Sequence, residues 1–247
     1  NVTLVDNLKG TVEHIFEYIT GSLTKITFEI YAAGDIKAAD GVSADYYKAN
    51  ELIGTITTDE NGIAQMGDLP VGKYYVKEVE TAHGYVLDSE PRYVDLSYRD
   101  QDTPVVTYDE DWQNNRQKVS VNVLKKGKDT ERVLEGATFG LFAAEDIVSA
   151  SGKVLIEADE IIELKATDAS GQIKFIADLP VDGKYYVKEL YAPDSFVNTE
   201  EKKEFTFEYG DEKEPLMVYN FTFEDEPTTV EITKSDPVSY THLTLPT

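Results

Sequence analysis

The heptapeptide GKYYVKE occurs at residues 72–78 and again at 183–189, and this repeat at a spacing of 111 limits the possible architectures more than any other feature of the chain. A period of that size implies two copies of one folding unit. The register extends well outside the heptapeptide. Phe28 and Phe139 stand 111 apart within FEIYAAGDI and FGLFAAEDI, and Trp112 and Phe223 stand 111 apart near the far ends. The two DLP segments are offset by 110, and one extra residue in the second copy restores the register at the tyrosines. The 247 residues are therefore expected to form modules at 1–117 and 118–228, each long enough to bury a core of its own.

Segments 26–31, 73–79, 118–125, 172–176 and 217–225 are short, rich in β-branched and aromatic residues, and alternate with period two. Turn signals separate them: DENG at 59–62, DASG at 168–171 and the two Leu-Pro pairs. No helical period is sustained, so the expected fold class is all-β, with two tandem, antiparallel-rich β-sandwich modules. AAGDI and AAEDI are expected to form single helical turns.

A formal charge of −24, from 47 acidic against 23 basic residues, repels nucleic acid and anionic membrane as partners and keeps the exterior solvated. No run of apolar residues reaches the length of a membrane span. The absence of cysteine excludes disulfides, zinc thiolates and cysteine nucleophiles together. Three histidines offer no metal cluster, and neither a nucleophile elbow nor a phosphate loop is present, so neither a turnover enzyme nor a metal or other cofactor is expected. Asp109, Glu110 and Asp111 read as a solvated loop in preference to a calcium site. Asn1-Val2-Thr3 and Asn220-Phe221-Thr222 match the three-residue glycosylation pattern.

Side chains of a strand alternate between faces, which places the glutamate of the repeat. Tyr185, Val187 and Glu189 share one face, with Lys188 on the other, and Tyr74, Val76 and Glu78 repeat the pattern with Lys77 outward. Both glutamates are thus expected in the cores, a costly position unless they are protonated or hydrogen-bonded. In QKVSVNVLKK, Val119, Val121 and Val123 share a face with Lys125; in MVYNFTFED, Tyr219, Phe221 and Phe223 share one with Asp225. In the first module Val106, Tyr108, Trp112 and Asn114 share a parity, so Asn114 is expected on the last strand there as Asp225 is in the second. The spacing from glutamate to terminal residue is 36 in both copies, from Glu78 to Asn114 and from Glu189 to Asp225.

A lysine, a glutamate and an Asn or Asp meeting in an apolar core can react, because burial disfavours charge. The amine becomes nucleophilic, the glutamate keeps a proton, and loss of ammonia or water leaves an amide crosslink. By parity alone, a buried ion pair or a lysine reaching back to the edge fits equally well.

The segments running from Leu-Pro to GKYYVKE, together with AHGYVLD at 82–88, WQNN at 112–115, FEDE at 223–226 and VEITKSD at 230–236, resemble Cna B-type modules. These are the prealbumin-like domains of Gram-positive pilins and adhesins, and the resemblance covers both modules. It implies that Lys125 of the first strand joins Asp225 of the last with Glu189 as proton shuttle, and that Glu78 and Asn114 correspond to two of these in the first module. There the position 111 before Lys125 is His14, whose imidazole cannot form this amide, and Lys9 is the fallback donor. Val230, Ile232 and Lys234 repeat the apolar stripe ending in lysine and are expected to open a third module at 229–237.

Crosslinking Lys125 to Asp225 would close a loop of 100 residues. The resemblance thus implies a structural role: a stalk segment of a secreted pilin or adhesin at the cell wall or surface of a Gram-positive bacterium. Its implied partners are the neighbouring modules of the same chain, and host extracellular matrix or other surface proteins. A ligand-binding adhesin module and an accessory β-module of a large secreted enzyme remain alternatives. Asn1 is expected to mark an internal cut. The uncharged VSYTHLTLPT at 238–247 reads, when back-translated, like a sequencing adapter and is set apart from the fold.

Overall fold

Alternation of apolar and polar residues in the sequence becomes alternation of burial in the strands. In a computed structural model, the chain is described over residues 14–234 except 19, 20, 39, 101, 103, 104, 129, 230 and 231. The first module contributes β1 (Thr27–Ala32), β2 (Leu52–Thr57), β3 (Lys73–Glu80) and β4 (Arg92–Asp95), in one antiparallel sheet ordered β2-β1-β3-β4. Phe28, Ile30 and Ala32 of β1 all face inward. Ile30 and Ala32 pack with Ile36 and Tyr74.

The second module holds β5 (Lys118–Gly127), β6 (Thr138–Ala143), β7 (Ile147–Val148), β8 (Val154–Ile156), β9 (Ile161–Ala166), β10 (Gln172–Phe175), β11 (Lys184–Tyr191), β12 (Phe196–Val197), β13 (Lys202–Thr206) and β14 (Leu216–Pro227). They form a sheet ordered β13-β11-β6-β9, a second ordered β10-β5-β14-β12, and the small β7-β8 hairpin. Val121 and Val123 of β5 and Phe223 of β14 meet Phe139, Leu141, Tyr185 and Val187 of the other sheet in one core, the arrangement of a sandwich. Strands β5 and β14 run parallel, as the first and last strands of a module.

The repeat is visible in three dimensions. Sheet β2-β1-β3-β4 is the counterpart of β9-β6-β11-β13, with Phe28 opposite Glu78 in one and Phe139 opposite Glu189 in the other. The turns follow their sequences: Asp59 and Asp168 accept hydrogen bonds from amides two and four residues on, and Gly62 and Gly171 adopt positive φ of 77° and 71°.

Two expectations fail. AAGDI and AAEDI form bends that lead into further β pairing, because the amides of Ala33 and Ala144 are already bound to the carbonyls of Lys73 and Lys184 across the sheet. Asp35 and Asp146, which would cap a helical turn, instead accept the distant amides of Ala49 and Ala158. Residues 105–115 of the first module carry no strand, although Trp112 still packs on Phe28 at 5.0 Å as Phe223 does on Phe139 at 4.9 Å. The counterpart of β5 would be residues 7–16, of which only 14–16 are described, and these are not strand. With no parallel neighbour among the described residues, 105–115 has no ladder to join.

Candidate crosslinking site

GKYYVKE sets its own orientation. Tyr185 is fully buried and its hydroxyl donates to the Pro180 carbonyl at 2.8 Å; Tyr74 makes the same bond to Pro70. That anchors the strand to the preceding Leu-Pro turn and fixes which face looks inward. A side chain at Gly183 would collide with the Tyr185 ring, so the residue that opens the heptapeptide must be small. Two and four residues on, Val187 and Glu189 necessarily enter the core.

Glu189 reaches from β11 across the sandwich to two groups on the facing sheet. Lys125 lies opposite Phe223 in the parallel register of β5 and β14, and Asp225 lies opposite Gly127, one inward step further on. Lys125 Nζ sits 2.9 Å from Glu189 Oε2 and 2.5 Å from Asp225 Oδ1. Lys125 and Asp225 are 0% exposed and Glu189 1%. The ring of Phe139 lies 5.7 Å from the ammonium, and Phe139 and Phe223 seal the site with apolar surface.

Burial raises the Glu189 carboxyl from the usual 4.5 to about 7; Lys125 opposes the shift, and the nearby Asp225 carboxylate reinforces it. Asp225 is close to Lys125 but not aligned for a hydrogen bond, and neither of its oxygens, nor Glu189 Oε1, has a hydrogen-bond partner. A proton on Glu189, which the raised carboxyl favours, would give one of the Asp225 oxygens a donor. A buried amine, a carboxyl carbon on the adjacent strand and a proton donor beside both are the components of amide formation.

The first module brings together only part of this set. Glu78 is 1% exposed, accepts the Asp88 amide at 2.7 Å, and takes bonds of 2.8 and 2.7 Å from Asn114 Nδ2, which also donates to the Val86 carbonyl. Burial raises the Glu78 carboxyl, and the bonds from Asn114 and Asp88 pull it back. Among the described residues no lysine pairs with it. The backbone amide of His14 donates to the Ile162 carbonyl of the second module at 3.0 Å. Lys9, Asn1 and 238–247 lie outside the described residues, as does most of 229–237; Lys234 is exposed and not in a strand.

Two residues escaped the sequence reading. Arg92 stacks on the Trp112 ring at 3.9 Å and pairs with Glu110 at 2.9 Å and Asp88 at 3.1 Å, which occupies the acidic stretch around 109–111. Its half-buried position on β4 carried no signal in the sequence. Glu163, fully buried between the likewise buried Ile162 and Leu164, accepts the amides of Ile176 and Ala177 at 2.8 Å each. No group of metal-ligating side chains occurs among the described residues.

The model of the family described as SpaA, prealbumin-like fold domain, matches the chain twice, at residues 18–112 and 119–220. Among solved structures, the Bacillus anthracis TIE protein aligns with 25% identity and a TM-score of 0.55, covering 84% of this chain and 31% of that one. The chain therefore spans about a third of that protein's length. The shaft pilin SpaA of Lactobacillus rhamnosus GG aligns with 19% identity and a TM-score of 0.35, covering 85% of this chain and 90% of its own. GBS52, a minor pilin of Streptococcus agalactiae, aligns with 18% identity and a TM-score of 0.33, covering 92% of each. No curated protein matches the chain.

Proposed function

We propose that this chain, which belongs to the SpaA family of prealbumin-like fold domains, is a stalk segment of a pilin or adhesin at the surface of a Gram-positive bacterium, and that its second module locks itself with a Lys125–Asp225 isopeptide bond. The modules would be 1–117 and 118–228, with 229–237 opening a third. The observation that carries the reading is the solvent-free contact of Lys125 with both Glu189 and Asp225. A buried ion pair gains little stability over apolar packing, so a triad kept in this position calls for a purpose other than its own attraction.

The reaction starts from Lys125 as ammonium, Asp225 ionised and Glu189 protonated, a neutral set. One proton passes from Lys125 to Asp225, and the freed amine attacks Cγ of Asp225 while Glu189 protonates the carbonyl oxygen. The second amine proton moves to Glu189, water departs, and Glu189 is restored as the acid. It is a single turnover within one chain and needs no cofactor.

The bond joins the first strand of the module to the last, and those strands are parallel neighbours. Tension arriving through β5 then passes into β14 by a covalent path, without shearing the ladder between them. Pulling the chain from its two ends tests this. The second module is expected to give no unfolding step in the parent and to give one in Glu189→Ala; a step of full length in the parent would remove the load-bearing role.

A further inference from the structure

The two modules meet through a set of contacts that the crosslink does not use. Phe16, from the segment leading into the first module, is buried in the core cluster of the second. The His14 amide beside it donates to the Ile162 carbonyl at 3.0 Å, on the outer edge of sheet β13-β11-β6-β9. Tyr18 then donates to the Asp178 carbonyl at 2.9 Å, and the guanidinium of Arg116, paired with Asp178, lies on its ring. An extended HIFEY segment thus covers an edge strand and places an aromatic ring beneath it.

A second contact lies at the 82–88 turn. Tyr209 donates to the Tyr85 carbonyl at 2.7 Å and packs against His83, which itself pairs with Asp182 at 2.5 Å. The Leu87 amide donates to the Glu212 carbonyl at 2.8 Å. Between the two sets lies Gln117, fully buried at the boundary. Its Nε2 donates to the carbonyls of Asp211 and Glu214 at 3.2 and 2.7 Å, and its Oε1 accepts the Gly210 amide at 2.9 Å. Every polar atom of that side chain is used by the second module, while its backbone amide donates to Gly84 of the first at 2.8 Å.

From this geometry we infer that the end of the second module is a receptor surface for the preceding module, and that Phe16 and Gln117 clamp the pair into one body of fixed orientation. Ordinary domain junctions leave relative motion as the default. Here a buried aromatic plug, an edge-strand bond and a saturated buried amide all cross the junction. The 82–88 segment also serves both sides: Asp88 and Val86 bind the Glu78–Asn114 pair while Tyr85 and Leu87 bind the second module. The clamp goes beyond the stalk reading and holds whether or not Lys125 is crosslinked.

The chain has no native cysteine, so spin labels can be attached after Thr55→Cys on exposed β2 and Thr222→Cys on exposed β14. Pulsed dipolar spectroscopy of the labelled full chain is expected to give a narrow distance distribution, broadened by Phe16→Ala or by Gln117→Ala. Gln117→Ala keeps the test informative if loss of Phe16 unfolds the second module. A broad distribution in the parent, or a width that neither substitution changes, would overturn the clamp. Repeating the measurement with Glu189→Ala separates it from the crosslink, since the clamp requires the same narrow distribution there.

Discussion

Lys125 Nζ and Asp225 Oδ1 lie 2.5 Å apart on parallel neighbouring strands, with both side chains sealed from solvent. Two opposite charges in such a place are expensive, and the cost of desolvation offsets most of their attraction. Converting them to an amide removes both charges and ties the ends of the module together.

Glu189→Ala should therefore do more than delete one contact. It removes the acid that drives the reaction, and with it a closed loop worth about 4 to 5 kcal/mol on the chain-entropy account. It also leaves Lys125 with one buried partner fewer. Denaturant unfolding should show the second module destabilised by at least about 4 kcal/mol, while an unchanged midpoint would mean no bond had been present.

The reaction should also depend on pH in one direction. Glu189 is raised to about 7, so its protonated form is favoured by folding, and that contribution is present at low pH and lost as pH rises through about 7. Chain recovered unfolded and then refolded should lose water quickly below that value and progressively more slowly above it. A rate that increases with pH would assign the proton shuttle elsewhere.

Asp225→Asn changes the leaving group without changing the geometry. The amide should form with loss of ammonia in place of water, read directly as the mass of the folded chain. Persistence of the full sequence mass would show that the contact is only an ion pair.

In the first module the predicted effect is smaller and lies in Arg92. Its side chain holds residues 110–112 against the sheet through the Trp112 ring and two partly exposed carboxylates. Arg92→Ala should cost about 1 to 2 kcal/mol, seen as earlier protease cleavage in 105–115; no change would show that Trp112 and Asn114 hold the segment unaided.

Much of this was legible beforehand, for a physical reason. Side chains alternate between the faces of a strand, so one valine of GKYYVKE sets the face of Glu189, and the same parity places Lys125 and Asp225 on inward stripes that the structure brings together. Parity is silent wherever the chain leaves the ladder. It did not show that residues 105–115 would lack a strand, or that His14 and Phe16 would bind the neighbouring module. AAGDI misled because a small-residue run ending in Asp resembles a capped turn until the sheet has already claimed its amides.

The central claim rests on one covalent bond, and intact mass measures it most directly. The folded parent chain should be lighter than its sequence by one water, and Glu189→Ala should have its full sequence mass; a further loss of one ammonia would add a Lys9–Asn114 bond in the first module. A parent chain at full sequence mass would contradict the account and leave Lys125, Glu189 and Asp225 as a buried charge cluster.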